Sequence, residues 1–175
     1  NAATTLMVLN KLWELNLGTT ELATIGLELG ADVPVFVKGQ SAWASGIGED
    51  LMPINLPKPW FVVIYPKIVV STGEIFASEQ LTRNCDPITI RDFLTSGGRN
   101  VCEPVACQLY PDIQNAIDWL NQYSIAKMTG TGACIFASFD SLEQAESVIS
   151  LAPKHWSTFV VKAMNTNPLL EQCRK

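Results

Sequence analysis

The chain has 175 residues, with 12 Lys plus Arg set against 17 Asp plus Glu, a formal net charge of −5. That balance, without any Lys or Arg run, speaks against nucleic acid as a partner, because such binding draws its affinity from basic side chains that displace counterions from phosphates. Hydrophobic residues at 47% and charged residues at 17% fit a globular chain, and the longest apolar stretches, such as Trp60 to Tyr65, are too short to cross a bilayer, so no membrane is expected.

The first expected element is a helix over Ala2 to Leu15, where Ala2, Leu6, Leu9 and Trp13 recur at spacings of three and four. Val8, Leu12 and Leu15 widen its apolar stripe, so it calls for burial on several sides, more than the remaining residues are expected to cover. Thr19 to Leu29 reads as a second helix with hydroxyl residues at its start and Gly30 as a left-handed stop. From Val33 the pattern suggests short extended runs, Val33 to Val37 and Ser41 to Ala44, with Lys38-Gly39-Gln40 as a hairpin-like break and Pro34 at a strand start or edge. The Leu56-Pro57-Lys58-Pro59 segment has no periodicity, which places a domain boundary near Pro57, between residues 1–57 and 58–175.

After that boundary come a strand (Trp60 to Tyr65), a helix (Thr72 to Leu81), a looser helical region (Ile88 to Leu94 and Val101 to Leu109) and a helix (Asp112 to Tyr123). Strands at Ile125 to Met128 and Ala133 to Phe139 flank a glycine turn, followed by a helix from Leu142 and a last strand, Thr158 to Lys162. Ser141 and Gln144 have the spacing of a capping box. The order β-α-(α)-β-β-α-β is the split βαβ, ferredoxin-like plan of an α+β domain with helices on one face of an antiparallel sheet. The tail after Asn165 is expected to fray.

Five cysteines, Cys85, Cys102, Cys107, Cys134 and Cys173, form no CxxC pair, and reduced thiols in a cytoplasm are the simplest reading. The single histidine, His155, is far in sequence from the Cys102 and Cys107 pair, so no metal site is expected, and a Ser-His-Asp or Cys-His mechanism would rest on that one residue. The tryptophans Trp13, Trp43, Trp60 and Trp119 lie in apolar patterns and are expected in the core.

Three segments can carry chemistry. In Gly30-Ala31-Asp32-Val33-Pro34-Val35-Phe36 a carboxylate sits at a junction with apolar neighbours, where it either serves a reacting group or forms an Asx turn with nearby N–H groups. In Met128-Thr129-Gly130-Thr131-Gly132-Ala133-Cys134 two glycines let backbone N–H groups converge on an anion and two threonines add donors, although glycines also serve ordinary hairpins. No Gly-Lys-Ser/Thr follows, so this is not a Walker loop. The third segment, Ser45-Gly46-Ile47-Gly48-Glu49, reads as a tight turn, one that can also approach a ligand. Thr72 opens a helix after Ser71, where a hydroxyl caps or faces a ligand.

Together, Asn1-Ala2-Ala3-Thr4 opening a helix, the Gly30 to Phe36 string and the Thr129 to Cys134 string resemble the GHMP kinase superfamily in order and spacing. The resemblance runs on through Ser141 to the Asn165-x-x-Pro168-Leu169 ending, and within the superfamily is greatest to members acting on a cytidine-diphosphate-linked methylerythritol. It implies the GHMP kinase fold, a remnant of the N-terminal domain in residues 1–57 and the ferredoxin-like C-terminal domain in 58–175. It also implies transfer of the ATP γ-phosphoryl, with Mg²⁺, to the 2-hydroxyl of that small molecule. Asp32 matches the family's catalytic aspartate, Thr129, Gly130, Thr131 and Gly132 lie in its third motif near the phosphates, and Ile47, Gly48 and Thr72 match positions lining the substrate pocket.

The family's roughly hundred-residue N-terminal portion, with its Gly-rich phosphate loop, has no counterpart in this sequence, so the 175 residues alone are expected to be inactive. A non-catalytic ferredoxin-like binding module, or a GHMP kinase for homoserine, a sugar or mevalonate, is the alternative.

Overall fold

The structure, a computed structural model, describes residues 1–168, the side chain of Ser96 excepted. Cys173 and the Leu169 of the resembling ending lie outside the described residues. The chain divides into two compact units, one of Asn1–Lys58 with the described residues from Met164 on, the other of Pro59–Ala163.

The first unit opens with helices α1 (Ala2–Leu12), α2 (Thr19–Leu29) and α3 (Val33–Lys38), followed by a hairpin of β1 (Ala42–Ser45) and β2 (Asp50–Pro53). Its core consists of Ala3, Met7, Leu22, Ala23 and Val37, with Leu6, Leu17 and Val33 packed against it. Gly26 is required there by close approach, since a Cβ on it would come within 2.8 Å of Val33 Cγ1. The apolar stripe of α1 is wider than the rest of the chain covers, as its sequence leads one to expect. Among the described residues α2 and α3 pack against it, and Leu12 is 69% exposed and Trp13, expected in the core, 61% exposed.

The extended run expected over Val33 to Val37 is instead α3. Pro34 sits in the helix's first turn, where its missing N–H costs nothing, and Gly39 ends the helix in the left-handed region at φ 60°. Pro34 and Val37, three apart, turn to the interior, the spacing of a helix rather than a strand. Gly30, expected as a left-handed stop, is extended at φ 162°.

The tail from Asn165 does not fray where it is described. Asn165 Oδ1 accepts from Leu56 N (3.0 Å) while its Nδ2 donates to Leu56 O (2.8 Å), a two-point clamp on the backbone. Ser41 N donates to Asn165 O and Asn167 N to Gly39 O, so residues read from the sequence as part of the second domain pack with the first unit.

The second unit contains β3 (Trp60–Tyr65), α4 (Thr72–Ala77), α5 (Ile90–Ser96), α6 (Cys102–Leu109), α7 (Pro111–Leu120), β4 (Lys127–Met128), β5 (Ile135–Phe139), α8 (Leu142–Ser150) and β6 (Ser157–Lys162). The four strands form an antiparallel sheet in the order β4-β5-β3-β6, with β3 between β5 and β6. That is the expected split βαβ plan of an α+β domain.

Alternation along β3 sends Val62 and Ile64 into the core, and α7 buries Ile113, Ala116, Ile117 and Leu120, the stripe of an amphipathic helix. Each such Ile or Leu contributes about 1.5–3 kcal/mol. Helix starts are fixed locally: Ser71 and Ser141 accept from the N3 N–H of α4 and α8, and Thr89 forms a capping box with Asp92 on α5. No helix among the described residues is long and apolar enough to cross a membrane.

Candidate functional site

The candidate residues fall in both units. Asp32 precedes α3 with αR backbone angles, φ −83° and ψ −13°, and makes no side-chain cap bond. A capping residue instead has β-region angles and accepts from the N–H of N2 or N3. Here N2 is Pro34, which has no N–H to give. The carboxylate is exposed rather than half-buried, and among the described residues it has no hydrogen-bond partner. The Asx-turn reading therefore finds no bond to support it.

The β1–β2 turn closes on itself. Glu49 Oε2 accepts from Ile47 N (2.7 Å), Gly48 N donates to Ser45 O (3.1 Å), and Ser45 Oγ donates to Asp50 Oδ2 (2.9 Å). Gly48 lies at φ +113°, and a Cβ on it would come within 3.1 Å of Ala31 O. A side chain there would collide with the loop that carries Asp32, so the turn is seated beside that loop. Ile47 is 72% exposed at its tip.

In the second unit Thr72 Oγ1 and Thr131 Oγ1 lie 3.0 Å apart, which joins the start of α4 to the glycine-threonine turn. Within that turn Thr129 N donates to Cys134 O and Gly132 N to Thr129 O, each at 3.0 Å. Gly132 N–H is thus used by the turn itself, while those of Gly130 and Thr131 donate to no group among the described residues. Gly130 (φ +56°) and Gly132 (φ +101°) both occupy the left-handed region. Open space surrounds a Cβ placed on Gly130, whereas one on Gly132 would meet Ile113 Cδ1 and Met128 Sδ at 3.1 Å. One glycine faces open space and the other faces the core.

Three residues passed over in the sequence hold these pieces in place. Tyr110 OH donates to Glu74 Oε2 (2.7 Å) and accepts from Ser71 N (3.2 Å), which fixes the start of α4 beside Thr72. Asn100 donates from Nδ2 to Met128 O (3.0 Å) and Gly130 O (2.8 Å), and Glu103 Oε2 accepts from Met128 N (2.8 Å). A cavity of about 500 Å³ beside the turn is lined by Arg99 and Lys127 as well as Phe93 and Phe136.

Burial pushes the thiols of Cys102 and Cys107 up. Cys85, Cys102, Cys107 and Cys134 are free, and burial, with Glu103 and Asp118 nearby, raises Cys107 to about 11. A thiol so shifted remains protonated and unreactive at neutral pH. Among the described residues no three of His, Cys, Asp or Glu cluster to hold a metal ion.

Comparison with known proteins adds what geometry alone does not. Residues 79–158 match the family described as GHMP kinases C terminal. A protein of Nitrosococcus oceani named 4-diphosphocytidyl-2-C-methyl-D-erythritol kinase is 51% identical over 175 residues, covering 100% of this chain and 62% of that protein. One of the same name from Hahella chejuensis is 46% identical over 178 residues, covering 100% of this chain and 60% of its own. The chain therefore spans about three fifths of the length of these relatives.

Among solved structures, a 4-(cytidine 5'-diphospho)-2C-methyl-D-erythritol kinase superposes with a TM-score of 0.74 at 24% identity, over 92% of this chain and 62% of that one. A homoserine kinase from Cytophaga hutchinsonii superposes with a TM-score of 0.65 at 18% identity, over 90% of this chain and 61% of that one. These two likenesses establish the shared fold. With the strand order and the matched region, residues 79–158 carry the C-terminal domain of the GHMP kinases, and the likeness to proteins named as such kinases runs the length of the chain.

Proposed function

We propose that the protein transfers the γ-phosphoryl of ATP to the 2-hydroxyl of a cytidine-diphosphate-linked methylerythritol, the reaction of isoprenoid biosynthesis for which its relatives are named, and that it works in the cytoplasm. The sequence relatives support the substrate class, and the free described cysteines fit a reducing compartment. Residues 1–57 are read as the closing part of the catalytic domain and 58–175 as the ferredoxin-like domain.

The geometric observation that carries the reading is Asp32: an exposed carboxylate at a turn that makes no use of it. An alcohol is a poor nucleophile until its proton is taken, and a carboxylate within about 3 Å accepts that proton as the oxygen attacks phosphorus. The new P–O bond forms, the bond to the bridging oxygen breaks, and ADP leaves with the electron pair. We assign the Gly130 and Thr131 N–H groups and the Thr72 and Thr131 hydroxyls to oxygens of the nucleotide phosphates, and Ile47 and Gly48 to the substrate side near Asp32.

Mg²⁺ at such a site keeps several waters and binds through phosphates and one or two carboxylates rather than a protein cage. When bound, the ion neutralises charge on the phosphates.

The test is a substrate panel on the full-length protein with ATP, the products read by phosphorus NMR. Phosphorylation of the cytidine-diphosphate-linked alcohol, and not of homoserine, mevalonate or galactose, is the expected result. Turnover of another alcohol in its place overturns the assignment.

A further inference from the structure

Resting on the reading of the glycine-threonine turn as a phosphate site, we propose that Asn100 and Glu103 are positioning residues that hold the turn in its binding shape. β4 is an edge strand of two residues, paired with β5 on one side only. Thr129 N points inward to Cys134 O, so by the alternation of an antiparallel ladder the N–H and C=O of Met128 point outward, away from the sheet. An unpaired edge of this kind leaves backbone groups without partners. Here two side chains take the place of the missing strand: Glu103 Oε2 accepts from Met128 N, and Asn100 Nδ2 donates to Met128 O. The second hydrogen of the same Nδ2 reaches Gly130 O, which carries the hold into the turn. Asn100 Oδ1 accepts from Cys102 N (3.0 Å), so all the groups of the amide are committed and its orientation is fixed by the start of α6. Lys127 Nζ donates to Gly98 O (3.1 Å), a further tie between the segment before α6 and β4.

The chemistry makes the two residues unequal to replacement. Aspartate at position 100 keeps the acceptor for Cys102 N but loses both donors and sets a negative charge against two carbonyl oxygens. Glutamine at position 103 keeps an acceptor for Met128 N. Neither residue touches substrate in this proposal; each acts through the backbone of Met128 or Gly130.

The experiment uses the full-length protein and the variants Asn100→Asp, Asn100→Ala, Glu103→Gln and Glu103→Ala. Hydrogen exchange of the 127–134 segment is measured without nucleotide, then KM for ATP and kcat separately. Exchange in that segment is expected to rise about tenfold in Asn100→Asp, Asn100→Ala and Glu103→Ala, the effect of losing one or two hydrogen bonds to backbone. KM for ATP is expected to rise by about the same factor with little change in kcat, the pattern of lost ground-state binding, while Glu103→Gln stays near the unsubstituted protein. Unchanged exchange in Asn100→Asp overturns the hold itself. Faster exchange with an unchanged KM for ATP overturns the link to nucleotide binding, and with it the reading of the turn as a phosphate site.

Discussion

The two units use their apolar residues in different ways. In the second, the stripe of α7 and the inward alternation of β3 and β5 meet in one core that includes Val62, Ile64, Ile113, Leu120 and Ile135, all with no exposure. In the first, α1 and α2 are more apolar overall than α7 but carry their apolar residues less one-sidedly; five buried residues make the core, and Val8, Leu12, Leu15 and Leu29 remain exposed. Periodicity fixes that a segment is helical and which residues lie on a stripe; the number of neighbours available decides how wide a stripe is covered.

The difference can be tested by substitution. Leu120→Ala, at a fully buried position, is expected to lower stability in urea denaturation by about 2–5 kcal/mol. Leu12→Ala, the same chemical change on a side chain 69% exposed, is expected to stay within about 0.5 kcal/mol. Equal losses at the two positions would remove the contrast between the units.

Within the second unit the turn's two glycines give a finer contrast. Gly132→Ala meets both the left-handed backbone and the 3.1 Å approach to Ile113 and Met128, and is expected to cost about 2–3 kcal/mol. Gly130→Ala meets only the backbone preference, about 1 kcal/mol. Thermal melts of the two variants should keep that order.

The smallest effect concerns pH. The Thr89 hydroxyl and N–H hold the Asp92 carboxyl below its ordinary 3.8. A carboxyl lowered in the folded state contributes stability above its unfolded value, and that contribution disappears as pH falls through the lowered one. The capping box of α5 should therefore open only below about pH 3.8. In an NMR titration Thr89→Ala, which removes the hydroxyl and keeps the N–H, should move Asp92 part of the way toward the ordinary value, and no movement would show that the hydroxyl is not a cause.

Much of this was legible in the sequence. The strands Trp60 to Tyr65 and Thr158 to Lys162, the latter one residue short of the observed β6, the helix after Ser141 and the ferredoxin-like order follow from local signals, because there pattern, caps and core agree. The Val33 to Val37 segment misled because three β-branched valines and a proline look extended, while Pro34 in a first turn and Gly39 at a left-handed stop favour a helix whose neighbours, α1 and α2, decide the outcome. Asp32 was visible as a carboxylate at a junction, but not as one without a local bond, which depends on the αR angles it adopts. Asn100 and Glu103 were missed because their partners, Met128 and Gly130, lie 25 to 30 residues further along the chain, beyond any spacing rule.

The most direct measurement is turnover of full-length Asp32→Asn with ATP and the cytidine-diphosphate-linked alcohol. If the carboxylate takes the proton of the attacking hydroxyl, kcat falls by about 10²–10⁴-fold while KM for ATP changes little. A kcat close to that of the unsubstituted protein would contradict that role.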